Sequence, residues 1–126
     1  MDESDRLWSQ GQKAQSIGTL EKLFKADKTF VIAIKLLERL EEMTMHERAF
    51  KVMQEAIAAF DGLYGTGGHP KKEEMYATLV MNIYEMAIKL GHPEIAKSQL
   101  EEGLTKCKEK MYLDTFSSHL DKLSRP

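Results

Sequence analysis

Proline occurs at only three positions of this 126-residue chain, 70, 93 and 126, and glycine clusters only at 62–68. A β-sandwich or barrel needs turn residues at short, regular spacing, roughly every 8–12 residues. Long stretches free of both residues suit helices instead. The chain therefore reads as helices joined by tight turns, with a single longer loop.

Apolar spacing assigns those helices. Met75, Leu79, Val80, Ile83, Met86, Ala87 and Leu90 follow three- and four-residue steps, which predicts a helix over 72–90 with one buried face. Gly91 closes it, because glycine takes positive φ without steric cost. Pro93 then opens a helix over 93–109 at the position where its missing N–H is not needed. Ile95, Ala96, Gln99, Leu100 and Leu104 mark the buried stripe of that helix.

A second hairpin precedes this one. Asp27 reads as the N-cap of a helix over 28–43, with Val31, Ile34, Leu36, Leu37 and Leu40 on its stripe. The run 30–34 has strand propensity, but alternation fails through Lys35–Leu40 while the helical period holds. Thr44-Met45-His46-Glu47 fits a capping box, opening a helix over 45–60 that buries Ala49, Phe50, Met53, Ala56, Ile57 and Phe60. Upstream, a short helical piece at Arg6-Leu7-Trp8, a turn at Gly11 and a helix over 13–25 look like a truncated copy of the same unit. Tyr112, Leu113, Phe116, Leu120 and Leu123 form a last amphipathic helix. The expectation is an all-α fold of about seven helices.

Charge and cysteine content exclude several functions. Eighteen basic against twenty acidic residues leave a net charge of −2, which opposes binding to nucleic acid by broad phosphate neutralisation. One cysteine permits no intramolecular disulfide and no Cys-rich metal site. The longest apolar runs are too short to cross a bilayer, and residues 1–10 are acidic and polar, unlike a targeting peptide. No membrane insertion is expected, and a reducing, cytoplasmic setting is.

The second helices share a pattern. Gly11-x4-Ser16-x3-Leu20-x3-Phe24, Thr44-x4-Ala49-x3-Met53-x3-Ile57 and Gly91-x4-Ala96-x3-Leu100-x3-Leu104 each place a turn residue, then a small residue, then two large ones. The small residue permits close approach of the paired helix, and the large ones fill the space beside it. From Ser16 to Ala49 is 33 residues, and from Ala49 to Ala96 is 47. With Asn82-Ile83-Tyr84-x2-Ala87-x2-Leu90-Gly91-x4-Ala96-x3-Leu100-x2-Gly103-Leu104, the chain resembles the tetratricopeptide repeat family, and Gly68-His69-Pro70 is similar to linkers in its longer versions.

The resemblance implies one domain over 1–126: a partial repeat at 3–27, a repeat at 28–62, a glycine-rich loop at 62–70, a repeat at 71–109 and a capping helix at 111–124. Antiparallel hairpins would stack as a short right-handed superhelix, with the first helix of each pair lining a concave face. That face would carry Asp5, Trp8, Val31, Ile34, Glu38 and Glu41, then Thr78, Met81, Asn82 and Glu85. Carboxylates mixed with Trp, Ile and Met imply a protein or peptide partner that is basic and has an apolar anchor. The blander reading is that Glu38, Glu41 and Glu85 solvate an exposed face. A carboxylate clamp of the chaperone-binding kind is not expected, because Ile34 and Glu38 stand where Lys and Asn are needed. The alternative to a groove is a compact bundle, a small regulatory or assembly subunit associating through an outer apolar patch at Tyr112, Phe116 and Leu120.

Enzyme chemistry finds little support. The loop 61–72 has glycines followed by lysines but no Gly-Lys-Ser/Thr and no strand feeding it, so it fails as a phosphate loop. His46, His69, His92 and His119 stand far apart, with no metal-binding pair on one helix. Lys106 and Lys108 flank Cys107 and favour its thiolate, yet no local histidine serves as its base. Glu73-Glu74 and Glu101-Glu102 are adjacent pairs whose members point apart on a helix. Of eight methionines, Met43, Met53, Met75 and Met86 fall on buried stripes as core filler, while Met45 and Met81 do not. The expectation is a non-enzymatic adaptor or scaffold with no catalytic residue, metal or cofactor.

Overall fold

Three turns of one construction organise the chain. The computed structural model describes residues 2–64 and 71–124. Among them it shows α1 (Asp2–Ser9), α2 (Lys13–Ala26), α3 (Phe30–Glu42), α4 (His46–Tyr64), α5 (Lys72–Lys89), α6 (Pro93–Lys106) and α7 (Lys110–Ser124), and no strand. The fold is all-α. The α1–α2, α3–α4 and α5–α6 turns each reverse the chain through one residue of positive φ: Gly11 at 80°, Thr44 at 57° and Gly91 at 84°.

The hydrogen bonds of the three turns match. The residue of positive φ donates three residues back, Gly11 to Trp8 (3.1 Å), Thr44 to Glu41 (3.0 Å) and Gly91 to Ile88 (3.2 Å). The next residue donates five back, Gln12 to Leu7 (2.9 Å), Met45 to Leu40 (2.8 Å) and His92 to Ala87 (2.7 Å). This is the Schellman closure, which satisfies the orphan carbonyls of the ending helix. The three positions are those that align in the sequence pattern. So are the small residues five later: Ser16, Ala49 and Ala96 are all fully buried, as are Leu20, Met53 and Leu100 beyond them.

Two local expectations fail. Thr44 does not cap α4 through a capping box; it ends α3, and its hydroxyl donates to Met43 O at 2.7 Å. Asp27 is the C-cap of α2 rather than the N-cap of α3, where Thr29 stands. In both cases one turn is too short for the sequence to tell the end of one helix from the start of the next. The helix expected over 45–60 also runs on to Tyr64. The Tyr64 ring packs on Phe60, and its hydroxyl accepts the Phe30 N–H at 3.1 Å. The rest of the glycine-rich loop, 65–70 with His69 and Pro70, lies outside the described residues.

The chain divides into two compact units, 1–65 and 66–126. In the first, α1 packs on α2, α2 on α3 and α3 on α4 around Leu20, Leu36, Leu40, Met53 and Phe60. In the second, α6 packs on both α5 and α7 around Leu79, Val80, Ile83, Leu100 and Phe116. The α6–α7 contact is close: a Cβ on Gly103 would lie 2.8 Å from the Phe116 ring. The Glu73 carboxylate on α5 also ties down the α6–α7 turn, accepting the N–H groups of Lys108 (2.5 Å) and Glu109 (2.7 Å) just before α7 begins. A carboxylate is well placed there, where a helix carries unsatisfied donors and the positive end of its dipole.

Candidate functional site

In the unit 66–126, α5 and α7 frame a cleft of about 360 Å³. One row of α5 lines it: Glu74, Ala77, Thr78, Met81, Asn82 and Glu85. Their three- and four-residue spacing puts them on a single face. Met111, Tyr112, Thr115 and Phe116 of α7 form the other wall and the floor. All four groove residues read from this part of the sequence are therefore brought together, and Tyr112, expected on a separate outer patch, faces the same cleft.

Phe116 corrects that outer-patch expectation. Its side chain is fully buried between Gly103 and the cleft, so it cannot form an exposed apolar contact, and Leu120 is half-buried. What the sequence reading missed is Met111, which is 61% exposed at the start of α7. An exposed methionine opposite Met81 is a soft, adaptable surface of the kind that accommodates varied apolar side chains.

The polar groups of the cleft favour a cationic guest. Glu74 and Glu85 are exposed and pair with no cation among the described residues. The Asn82 Nδ2 donates to Thr78 O on its own helix at 2.9 Å, which leaves its Oδ1 as an acceptor. The Thr78 and Thr115 hydroxyls are likewise spent on carbonyls one turn back, at 2.9 Å each. The Tyr112 phenol is held above its ordinary pKa, first by partial desolvation and then by the carboxylates of Glu109, Glu74 and Glu73. It stays a neutral donor in a negative field.

The expected groove residues of the unit 1–65 have a different fate. Lys35 Nζ donates to both Asp5 oxygens (2.8 and 3.0 Å), and Arg39 Nη2 donates to Oδ1 at 2.7 Å. These bonds, that from Lys35 foremost, lower the Asp5 pKa. Arg39 also reaches the buried Ser4–Ser16 pair, whose hydroxyls lie 2.9 Å apart, through its bond to Ser16 Oγ (2.6 Å), and its guanidinium lies 4.5 Å from the centre of the Trp8 ring. Asp5 and Trp8 thus tie α1 to α3. Glu41 bonds His46 Nδ1 at 2.7 Å. Val31 and Glu38 stay exposed and Ile34 half-buried. Of the carboxylates expected here, Asp5 is neutralised by Lys35 and Arg39, Glu41 is hydrogen-bonded to His46, and Glu38 stays open to solvent. Apolar spacing alone does not single out Lys35 and Arg39, although their four-residue spacing opposite Asp5 carries the signal once α1 and α3 are neighbours.

Cys107 is held as a buried, protonated thiol. It is buried at the C-cap of α6, and its pKa is pushed up to about 11 by desolvation first and then by Glu73 and Glu109. The flanking lysines do not offset this. Among the described residues no three His, Cys, Asp or Glu side chains gather as a metal site, and no helix is long and apolar enough to cross a membrane. Compared with family models, curated proteins and solved structures, the chain matches none.

Proposed function

We propose that this protein is a non-enzymatic interaction module, an adaptor or scaffold component of the cytoplasm, and that its working surface is the α5–α7 cleft. The guest is a peptide or helix of a partner protein with basic residues flanking one apolar anchor. The observation that carries this reading is the convergence of Thr78, Met81, Asn82 and Glu85 with Met111 and Tyr112 around one cavity whose two carboxylates are unneutralised. Ammonium or guanidinium groups meet Glu74, Glu85 and the Asn82 oxygen, while the anchor settles between Met81 and Met111 over Phe116. The repeated turn at Gly11, Thr44 and Gly91 supports the tetratricopeptide-like reading of the helices.

Selection from a displayed random-peptide library tests the proposal. The expected class combines Lys or Arg with Leu, Ile, Met or Phe, and the Glu74→Lys/Glu85→Lys double variant binds it at least about tenfold more weakly. Both positions are exposed, so helical circular dichroism and melting stay near wild type. Absence of a basic class, or a basic class indifferent to the charge reversal, overturns the assignment.

A further inference from the structure

A second concavity, of about 390 Å³, lies in the unit 1–65 between α2 and α4, with α3 beneath it. Its floor is an apolar strip formed by Phe24, Leu36 and Val52, all of them buried. Its walls are charged. Glu21, Lys25 and Lys28 lie on the α2 side, and Arg48, Lys51 and Glu55 on the α4 side.

The helices run the same way, since each is antiparallel to α3, and the ion pair between Arg48 and Glu21 across the furrow sets their register. That pair closes one end. One turn further along, Lys25 and Lys51 stand on opposite walls, both exposed and neither paired with a carboxylate among the described residues. Lys28 and Glu55 come last, also without a charged partner, and the Lys28 ammonium lies 5.7 Å from the centre of the Phe24 ring. The middle of the furrow therefore holds two uncompensated ammonium groups, bounded at either end by a carboxylate.

We propose that this furrow binds an acidic segment of a partner protein, with its carboxylates between Lys25 and Lys51 and one apolar side chain on the Phe24–Val52 strip. The positive stretch is short and has Glu21 and Glu55 at its limits. A continuous polyanion such as a nucleic-acid backbone, carrying a charge about every 1.7 Å of duplex axis, would run past both carboxylates. The strip takes one apolar side chain flanked by the methylene stems of the lysines. Exposed ion pairs are individually weak, so charge and anchor are both required and binding falls with salt. This site is independent of the α5–α7 cleft and takes a guest of opposite sign.

The test uses the full chain and a fluorescein-labelled Glu-Leu-Glu-Glu-Leu-Glu amide, followed by anisotropy. The wild type is expected to bind it and to ignore the same peptide with Lys for Glu. Lys25→Glu/Lys51→Glu should weaken binding at least about tenfold, and Glu55→Gln should strengthen it about threefold, a gain that damage to the fold does not produce. If the double lysine variant fails to fold, Lys51→Gln and Glu55→Gln decide. The proposal is overturned if the acidic peptide does not bind, or if binding ignores these substitutions. Tighter binding of a short DNA duplex or of phosphatidylserine vesicles also overturns it, as does a concentration-dependent dimer broken by Lys25→Glu/Lys51→Glu, which would assign the furrow to a second copy.

Discussion

Thr44 holds a conformation that its side chain opposes. Its φ of 57° lies in the left-handed region, where a Cβ crowds the following carbonyl and a β-branched residue is worse placed than most. Gly11 and Gly91 do the same work in the other two turns, and a Cβ at either would meet nothing within 4 Å, so the glycine is there for φ alone. Thr44→Gly should therefore stabilise the protein by about 1 kcal/mol, the relief of strain exceeding both the extra freedom of the unfolded chain and the lost Thr44–Met43 bond. Urea unfolding with an unchanged m-value measures this, and a destabilised variant would sink the argument. The repeated pattern aligned Thr44 with two glycines, so this signal was legible. The local resemblance of Thr-x-x-Glu to a capping box competes with it, as happens wherever one residue joins two helices.

Helix positions follow from the sequence because apolar spacing is local, and the ends are the weak point because caps compete within one or two residues. The second unit shows what lies beyond local pattern. Gly103 sits inside α6 and looks unfavourable there, since glycine weakens a helix interior. Its reason is the Phe116 ring, and a Cβ would also come within 3.4 Å of Val80. Gly103→Ala should cost about 1–3 kcal/mol despite its better helix propensity, because the ring has packed neighbours behind it. Chemical denaturation checks this. A neutral or stabilising result would mean that the ring moves freely, and the floor of the α5–α7 cleft with it. The same contrast divides the candidate site. The α5 wall was legible as one helical face, whereas the α7 wall, the Glu73 bonds to the turn before α7 and the Asp5–Lys35–Arg39 ties join residues about 30 or more positions apart. No periodicity reports such distances.

At the scale of the whole chain, a net charge of −2 conceals two titrating groups with opposite dependence on pH, one in each unit. The Asp5 pKa is lowered from 3.8 by Lys35 and Arg39, so its contribution is complete above that value and is lost as pH falls through the depressed one. The Cys107 pKa is raised from 9.0 to about 11 by burial, so its contribution is complete below pH 9 and is lost as pH rises towards 11. Each group has a reporter. The chain's one tryptophan, Trp8, lies against Arg39, and Cys107 reports on itself through its reactivity. Acidification below about pH 4 should therefore shift Trp8 emission as Arg39 loses its carboxylate partner, and Asp5→Asn should show the shifted emission already at pH 7. On the alkaline side, Cys107 should resist a thiol reagent at pH 8 as long as the chain is folded. The loss of stability between pH 9 and 11 should shrink in Cys107→Ala, with the ionisation of other groups common to both proteins. A Trp8 signal indifferent to Asp5→Asn would remove the α1–α3 tie from the account, and rapid labelling of native Cys107 at pH 8 would remove its burial.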